Sequence, residues 1–366
     1  MPDSVVRHAS SPAGPAATGS GATTAGAAPA SAGHPAQRAD GTGNRVVRIE
    51  RHGPPDVMRI VPVPVDEPGA GEVRVRQQAI GLNFADIYQR RGDAGPHAGE
   101  LPAVLGSQGA GVIEMVGEGV QAYAPGDRVA YIHPGAYADT MVLPADRLVA
   151  LPDSVDAQAA AGFLLRGLTA EYLLHRLYAV RPGDAVLVHA AAGGMGQMLC
   201  PWARALGAHV IGTVGSVAKR ERAQANGCHE VIVYREPGWA DRVLAASGGQ
   251  GVAVVYDAVG KDVFVDSLAC LRPRGLAINY GTASGDVRGL DLQLLHAKSL
   301  SVCRPTLRSF IATREELQAA AARFFAAATE GLLDLTVARR YALDDVHRAH
   351  ADLESGSTTG AAVLVP

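Results

Sequence analysis

The segment AVLVHAAAGGMGQMLCPWARALG, residues 185–207, constrains the fold more than any other stretch of this chain. A run of β-formers enters a turn of small residues and leaves as a helical stretch that opens at Gly193, Gly194 and Gly196. Glycines between a buried strand and a helix let a ligand approach the backbone closely and let the helix pack tightly on the strand. Together with the free N–H groups of the helix start, they form a pyrophosphate cradle. The first position of G-x-G-x-x-G is occupied here by Ala191, so the cradle is marked instead by the strand before, the helix after and a second βα unit that follows. Further apolar runs, HVIGTV, VIVY, VAVVYDAV, GLAINYG and LSVCRP, alternate with helical stretches. The pattern predicts a doubly wound parallel sheet of six strands, built from two mononucleotide-binding halves.

Cofactor choice is read at the end of the second strand, where sites that prefer NAD place a carboxylate against the ribose 2'-hydroxyl, about 20 residues past the glycines. This chain has GSVAKRERA there, with no acid before Glu221. Ser216, Lys219 and Arg220 offer a hydroxyl and two cations suited to a 2'-phosphate, and so favour NADPH; the plainer reading is a solvated basic helix start.

Order is expected from Asn44, because 33 of the first 43 residues are Ala, Gly, Pro, Ser or Thr. Too little apolar surface is present there to offset the entropy of folding, so residues 1–43 are expected to be a disordered tail or a misassigned start. From Asn44 to Leu151 short β-branched runs are bounded by Gly, Pro and Asp, a strand-rich, barrel-like pattern. Near the other end, TREELQAAAARFFAAATEG predicts a long helix opened by Thr313 and Glu316 and stopped by Gly331.

With 33 basic and 36 acidic residues the formal charge is −3, which provides no field for nucleic acid or anionic lipid. The four cysteines lie 28, 42 and 33 residues apart, as isolated reduced thiols rather than a disulfide framework or metal knuckle. No long uncharged apolar stretch and no secretory layout is found, so a soluble cytoplasmic protein is expected. Zinc is unsupported: the strand-rich part has no cysteine, His52, His97 and His133 stand unpaired, and His347 and His350 read as a surface helix. GLNFADIYQRRG reads as a polar loop after a strand, where Asn83, Asp86, Tyr88 and Arg90 either orient a carbonyl or decorate the surface.

Taken together, the residues resemble the zinc-independent, zeta-crystallin-like quinone oxidoreductases of the medium-chain dehydrogenase/reductase superfamily. The likeness runs from Arg45 to Pro366 through AIGLNFADIYQRRG, PGDRVAY, GAYAD, GFLLRGLTAEYLL, HAAAGGMG, GTVGSVAKR, VIVYREPG, VVYDAVGKD, INYGTASG, SVCRPTL and LESGSTTGAAVLVP. It implies an α/β protein with a GroES-like β-rich catalytic domain, residues 44–167 and 303–366, around a Rossmann NADP-binding domain, residues 168–302. By the same resemblance Asn83 sits beside the nicotinamide ribose, with Asp86 and Tyr88 near the substrate. Thr169 contacts the nicotinamide half, and Ala192, Gly193, Gly194, Met195 and Gly196 hold the pyrophosphate. Gly215, Ser216, Lys219 and Tyr234 grip the adenosine phosphate side, while Val259, Tyr280 and Gly281 line the cofactor from the other half of the sheet.

Relatives with catalytic zinc have cysteine at Asn83 and Gly-His-Glu at Gly106-Ser107-Gln108, so two ligands are missing and no metal is expected. Gln108 and Asp93-Ala94 also depart from the metal-free relatives. The implied activity is NADPH-dependent, metal-independent quinone reduction. The alternatives are reduction of an activated C=C bond in an enone or enoyl thioester, and a non-enzymatic NADPH-binding protein. A homodimer through the edge of the Rossmann sheet is also implied, with GLAINYG and LSVCRP as candidate edges.

Overall fold

The strongest apolar runs form the centre of the molecule. In this computed structural model, which describes residues 43–93, 100–355 and 360–366, all described residues belong to one unit. Residues 1–42 of the expected tail, Ala94 and His97 lie outside the described residues.

The strands before the glycine turn are β1 (Asn44–Ile49), β2 (Arg59–Val63), β3 (Glu72–Gly81), β4 (Ala103–Val104), β5 (Gln108–Val116), β6 (Arg128–Ile132), β7 (Thr140–Pro144) and β8 (Leu148–Ala150). The parallel set is β9 (Ala185–Val188), β10 (His209–Val214), β11 (Glu230–Val233), β12 (Val252–Asp257), β13 (Leu271–Asn279) and β14 (Ser301–Cys303), followed by β15 (Val337–Ala342) and β16 (Ala361–Val365). The helices are α1 (Phe84–Arg91), α2 (Ala157–Glu171), α3 (Gly196–Ala205), α4 (Arg220–Ala225), α5 (Trp239–Ala246), α6 (Phe264–Cys270), α7 (Gln293–His296), α8 (Arg314–Thr329) and α9 (Val346–Glu354).

The expected doubly wound sheet is present in the order β11-β10-β9-β12-β13-β14, all pairs parallel. β9, β10 and β12 are buried on both faces, which is why they read as unbroken apolar runs. Val186 and Val188 of β9 pack with Met198, Leu199 and Ala223 on one face, and Leu187 packs with Trp239, Val243 and Phe264 on the other. Strand order reverses between β9 and β12, so the crevice at their carboxyl ends is the place this topology offers a ligand. β14 is an edge strand, whereas β13 lies inside the sheet, correcting the expectation for GLAINYG.

The strand-rich part holds a sheet β15-β16-β3-β5-β6-β8 with β7 also on β3, and a smaller sheet β2-β1-β4. The end of the chain is built into it, since β16 pairs with β3 at Val363 and Gly81. Helix α2 connects the two parts: Ala160, Ala161, Phe163, Leu164 and Leu168 share one core with Ala79, Ala110 and Ala130 of the strand-rich sheet and with Val186 and Val188 of the parallel one. It starts where the Asp156 carboxylate accepts the Ala159 N–H at 2.7 Å and widens after Glu171 into a π-helical segment, Tyr172–Leu177. Helix α8 carries the expected reciprocal cap between Thr313 and Glu316. Among the described residues no helix is long and apolar enough to cross a membrane.

The cysteines are free but not all isolated, because Cys200 Sγ and Cys228 Sγ lie 3.5 Å apart in the core. His350 is fully buried, contrary to the surface reading of its helix, because α9 packs Val346, Ala349 and Leu353 into the same core as β3.

Candidate active site

The glycine turn follows β9 as expected, and Ala191 is tolerated because the turn's left-handed residue is Ala190, at φ 52°. Gly193 N–H closes the turn onto the Ala190 carbonyl at 2.8 Å, and Asn226 Nδ2 holds the Ala191 carbonyl at 2.7 Å. A Cβ on Gly196 would stand 2.1 Å from the Ala191 oxygen, a backbone atom with no room to yield, so only glycine lets α3 start this close to β9. Ala192, Gly193, Gly194 and Met195 keep some exposure at the mouth of the crevice.

At the next strand ends Gly215, Ser216, Lys219 and Tyr234 come together. A Cβ on Gly215 would lie 3.2 Å from the Tyr234 hydroxyl, and Lys219 N–H donates to the Ser216 carbonyl at 3.1 Å. Ser216 and Lys219 are exposed.

On the other side of the reversal, the buried carboxylate of Asp257, which sequence reasoning missed, accepts the N–H groups of Val259 and Gly260 at 2.7 and 3.0 Å and Asn279 Nδ2 at 2.8 Å. Its backbone carbonyl takes the Tyr280 N–H at 2.8 Å. Asp257 thereby fixes Val259, Tyr280 and Gly281, and Arg304 completes the group on Asn279 Oδ1 at 2.6 Å. Burial lifts the Asp257 carboxyl to about 6 against those bonds. The Tyr280 hydroxyl is buried with no hydrogen-bond partner among the described residues.

Facing these strand ends is α1. The segment read as a loop is a helix, because Asn83 is its N-cap and its N–H donates to the Asp86 carboxylate at 2.8 Å, one half of a capping box. Asn83 is buried, and among the described residues its side-chain Nδ2 has no hydrogen-bond partner. The Tyr88 hydroxyl bonds with Thr282, two residues beyond Tyr280, and burial raises its pKa above the usual 10. Thr169 lies on α2, its hydroxyl donating to the Leu165 carbonyl at 2.7 Å. The Leu165 N–H in turn donates to the buried Gln108 Oε1 at 2.7 Å, which accounts for Gln108 as a neutral buttress of α2.

Asp86 faces inward. It is fully buried, accepting the Ser107 hydroxyl at 2.5 Å and the Tyr137 hydroxyl at 3.1 Å. Behind it Tyr137 Oη lies 3.0 Å from His350 Nε2, and His350 Nδ1 lies 3.1 Å from Arg90 Nη1. Arg90, read as either orienting a carbonyl or decorating the surface, is buried and ends this chain on Glu354 at 2.7 Å. Since Arg90 only donates, His350 Nδ1 must accept, which leaves the proton on Nε2 for Tyr137 and the Tyr137 proton for Asp86.

Burial lifts Asp86 from 3.8 to about 6. Burial, and then Arg90, push His350 down to about 3. Between about pH 3 and 6.5 the unfolded chain protonates this histidine while the fold keeps it neutral, so His350 makes stability rise with pH. Asp86 acts the other way between about pH 4 and 6, because there the fold binds a proton that the unfolded chain releases. His350→Gln removes only the first effect. Its stability deficit should shrink by on the order of 2 kcal/mol as the pH falls from 7 to 4.5, read by urea denaturation. A constant deficit would mean that the folded histidine is charged.

Among the described residues no group of three or more His, Cys, Asp or Glu side chains is placed to hold a metal ion.

Comparison with known proteins agrees with this geometry. Residues 69–153 match the alcohol dehydrogenase GroES-like domain, and residues 194–327 match a family described as zinc-binding dehydrogenase. The quinone oxidoreductase of Salmonella typhimurium is 45% identical over 325 residues, 87% of this chain and 99% of that protein. The chain belongs to the quinone oxidoreductases of the medium-chain dehydrogenase/reductase superfamily. The crystal structure of Escherichia coli quinone oxidoreductase complexed with NADPH superposes with a TM-score of 0.84 at 41% identity, covering 88% of this chain and all of that one. A 2-haloacrylate reductase from Burkholderia sp is 43% identical over 326 residues, 87% of this chain and 98% of its own length. This family membership accounts for the two-part build, a GroES-like fold beside a Rossmann fold.

Proposed function

We propose that the chain is an NADPH:quinone reductase working without a metal, with residues 44–167 and 303–366 as the substrate-side domain and 168–302 as the cofactor domain. The reading rests on one juxtaposition: the α1 end carrying Asn83 and Tyr88 stands against the carboxyl ends of a dinucleotide-type sheet, with Tyr88 bonded to Thr282. NADPH suits the residues present. The backbone of the glycine turn is open to close approach at the exposed Gly193, and Asn83 Nδ2 is buried with no hydrogen-bond partner among the described residues. Lys219, Ser216 and Tyr234 are the groups for a 2'-phosphate, and Val259, Tyr280 and Gly281 line the far side.

When bound, the dihydronicotinamide supplies a hydride equivalent. The protein's task is to orient the acceptor, exclude water and meet the negative charge that develops on the acceptor oxygen. Asn83 Nδ2 orients the ribose, and the Tyr88 hydroxyl donates a hydrogen bond or a proton to the acceptor oxygen. Asp86 is a positioning residue, fixing the Asn83 backbone. A metal is unnecessary to this chemistry because a quinone is already electron-poor.

The 2-haloacrylate reductase relative favours a second reading, reduction of an activated C=C bond. Oxidation of NADPH, followed with chelator present across soluble quinones, enones and 2-haloacrylates, tests both. Quinone turnover supports the first reading; inert quinones beside an active C=C substrate replace it. NADPH should be preferred over NADH, because charge-assisted hydrogen bonds contribute ~1.5–3 kcal/mol each, roughly 10- to 150-fold. Lys219→Ala should remove most of that preference, measured as the ratio of kcat/KM values; an unchanged ratio would acquit Lys219. The protein is further proposed to be a cytoplasmic homodimer joined along the edge strand β14, on which Val302 is an exposed apolar residue.

A further inference from the structure

Arg166, one helical turn before the Thr169 of α2, was singled out by no motif. Its guanidinium lies in the crevice between the two parts of the molecule. Nη2 reaches the Leu82 carbonyl, just before Asn83, at 3.5 Å, and the guanidinium carbon lies 6.0 Å from the Phe163 ring centroid. On the other side the group stands against the glycine turn, since a Cβ on Gly194 would be 2.9 Å from Nη1 and 3.0 Å from the guanidinium carbon. Among the described residues Nη1 is buried without a hydrogen-bond partner and no carboxylate lies within ion-pair distance of Arg166. Asp86 acts on it only as a charge at longer range. A guanidinium held inside a protein with an unused donor is costly unless an anion completes it, and its planar fork suits phosphate oxygens.

We propose that Arg166 is the cationic clamp for the diphosphate of the bound dinucleotide, closing over the glycine turn from the α2 side. The assignment rests on the NADPH reading above. It separates two tasks: Arg166 would supply affinity common to NADPH and NADH, and Lys219 the discrimination between them. The turn has no Cβ at position 194 because the guanidinium occupies that space.

Calorimetric titration of the full chain with NADPH, NADH and adenosine 2'-monophosphate, which has no diphosphate, tests the clamp. Arg166→Met should weaken NADPH and NADH by the same factor, ~10- to 100-fold, leave their ratio unchanged and leave adenosine 2'-monophosphate within twofold. Gly194→Ala is a second probe, because its new Cβ meets the flexible end of the arginine rather than backbone. The variant should fold and reproduce the common loss more weakly.

Folded variants that bind both dinucleotides within twofold of the unmodified protein would overturn the clamp. So would a defect confined to the KM of an acidic acceptor such as a 2-haloacrylate with a neutral quinone unaffected, which would assign the guanidinium to the acceptor's carboxylate. Equal weakening of adenosine 2'-monophosphate would reduce Arg166 to a structural residue. An unmodified protein that binds neither dinucleotide would instead overturn the cofactor reading, and this one with it.

Discussion

Arg90→Met should lower the stability of the folded protein by about 3 kcal/mol, the lower end of what breaking a buried ion pair costs. Arg90 is 1% exposed, and its guanidinium serves the Gly53 carbonyl at 3.0 Å, His350 Nδ1 at 3.1 Å and the Glu354 carboxylate at 2.7 Å. Methionine fills most of the stem volume but supplies no donor. Glu354 keeps 27% exposure and can rehydrate, which holds the loss below the upper limit. His350 cannot rehydrate. Once its Nδ1 has no donor, the ring is free to change tautomer, and the Tyr137 hydroxyl then turns to the histidine as often as to Asp86. The variant should therefore lose activity beyond its loss of stability, because Asp86 holds the N-cap from which Asn83 projects. Urea denaturation reads the first effect, and kcat measured well below the melting temperature reads the second. A cost under 1 kcal/mol would mean that the buried chain contributes little. An unchanged kcat would mean that Asn83 does not depend on it.

The sequence revealed the parallel half because its central strands are buried on both faces: β9, β10 and β12 are continuous apolar runs, and the glycines mark where backbone must approach backbone. The six strands appear where those runs were read, to within four residues at either end. The site on the strand-rich side was less legible for two physical reasons. Helix α1 is short and polar, and its start depends on an Asn-to-Asp cap that the loop reading of GLNFADIYQRRG passed over. Arg90 and His350, 260 residues apart, carry no local sign that each is the other's partner. His350 looked solvated because acids flank it, yet its own face of α9 packs on the β3 core. Arg166 and the Asp257–Asn279–Arg304 group were invisible for the same reason, since each acquires its role only when separate strand ends meet in the crevice.

Tyr88→Phe should reduce kcat for quinone reduction by ~10- to 10⁴-fold, the range for loss of a proton donor or oxyanion partner, and change the dinucleotide Kd much less. The residue lies where α1 meets the loop after β13, its hydroxyl on Thr282. Burial raises its pKa above 10, with the Thr282 hydrogen bond opposing that shift only in part, so the phenol remains protonated through the neutral range. A neutral phenol can donate to an oxygen that is gaining negative charge, and the increase in that charge from ground state to transition state directs the effect to kcat rather than KM. The same reasoning predicts a kcat profile that stays flat on the alkaline side to about pH 9, because deprotonation of a donor with a raised pKa begins only beyond that. Phe84, 46% exposed with its ring 6.3 Å from that of Tyr88, leaves an aromatic wall in the variant, so the hydroxyl is the main thing the substitution removes. An effect below about threefold would make Tyr88 a wall of the acceptor pocket and leave Asn83 Nδ2 as the donor to the acceptor oxygen. In that case Asn83→Ala, rather than Tyr88→Phe, should produce the large fall in kcat.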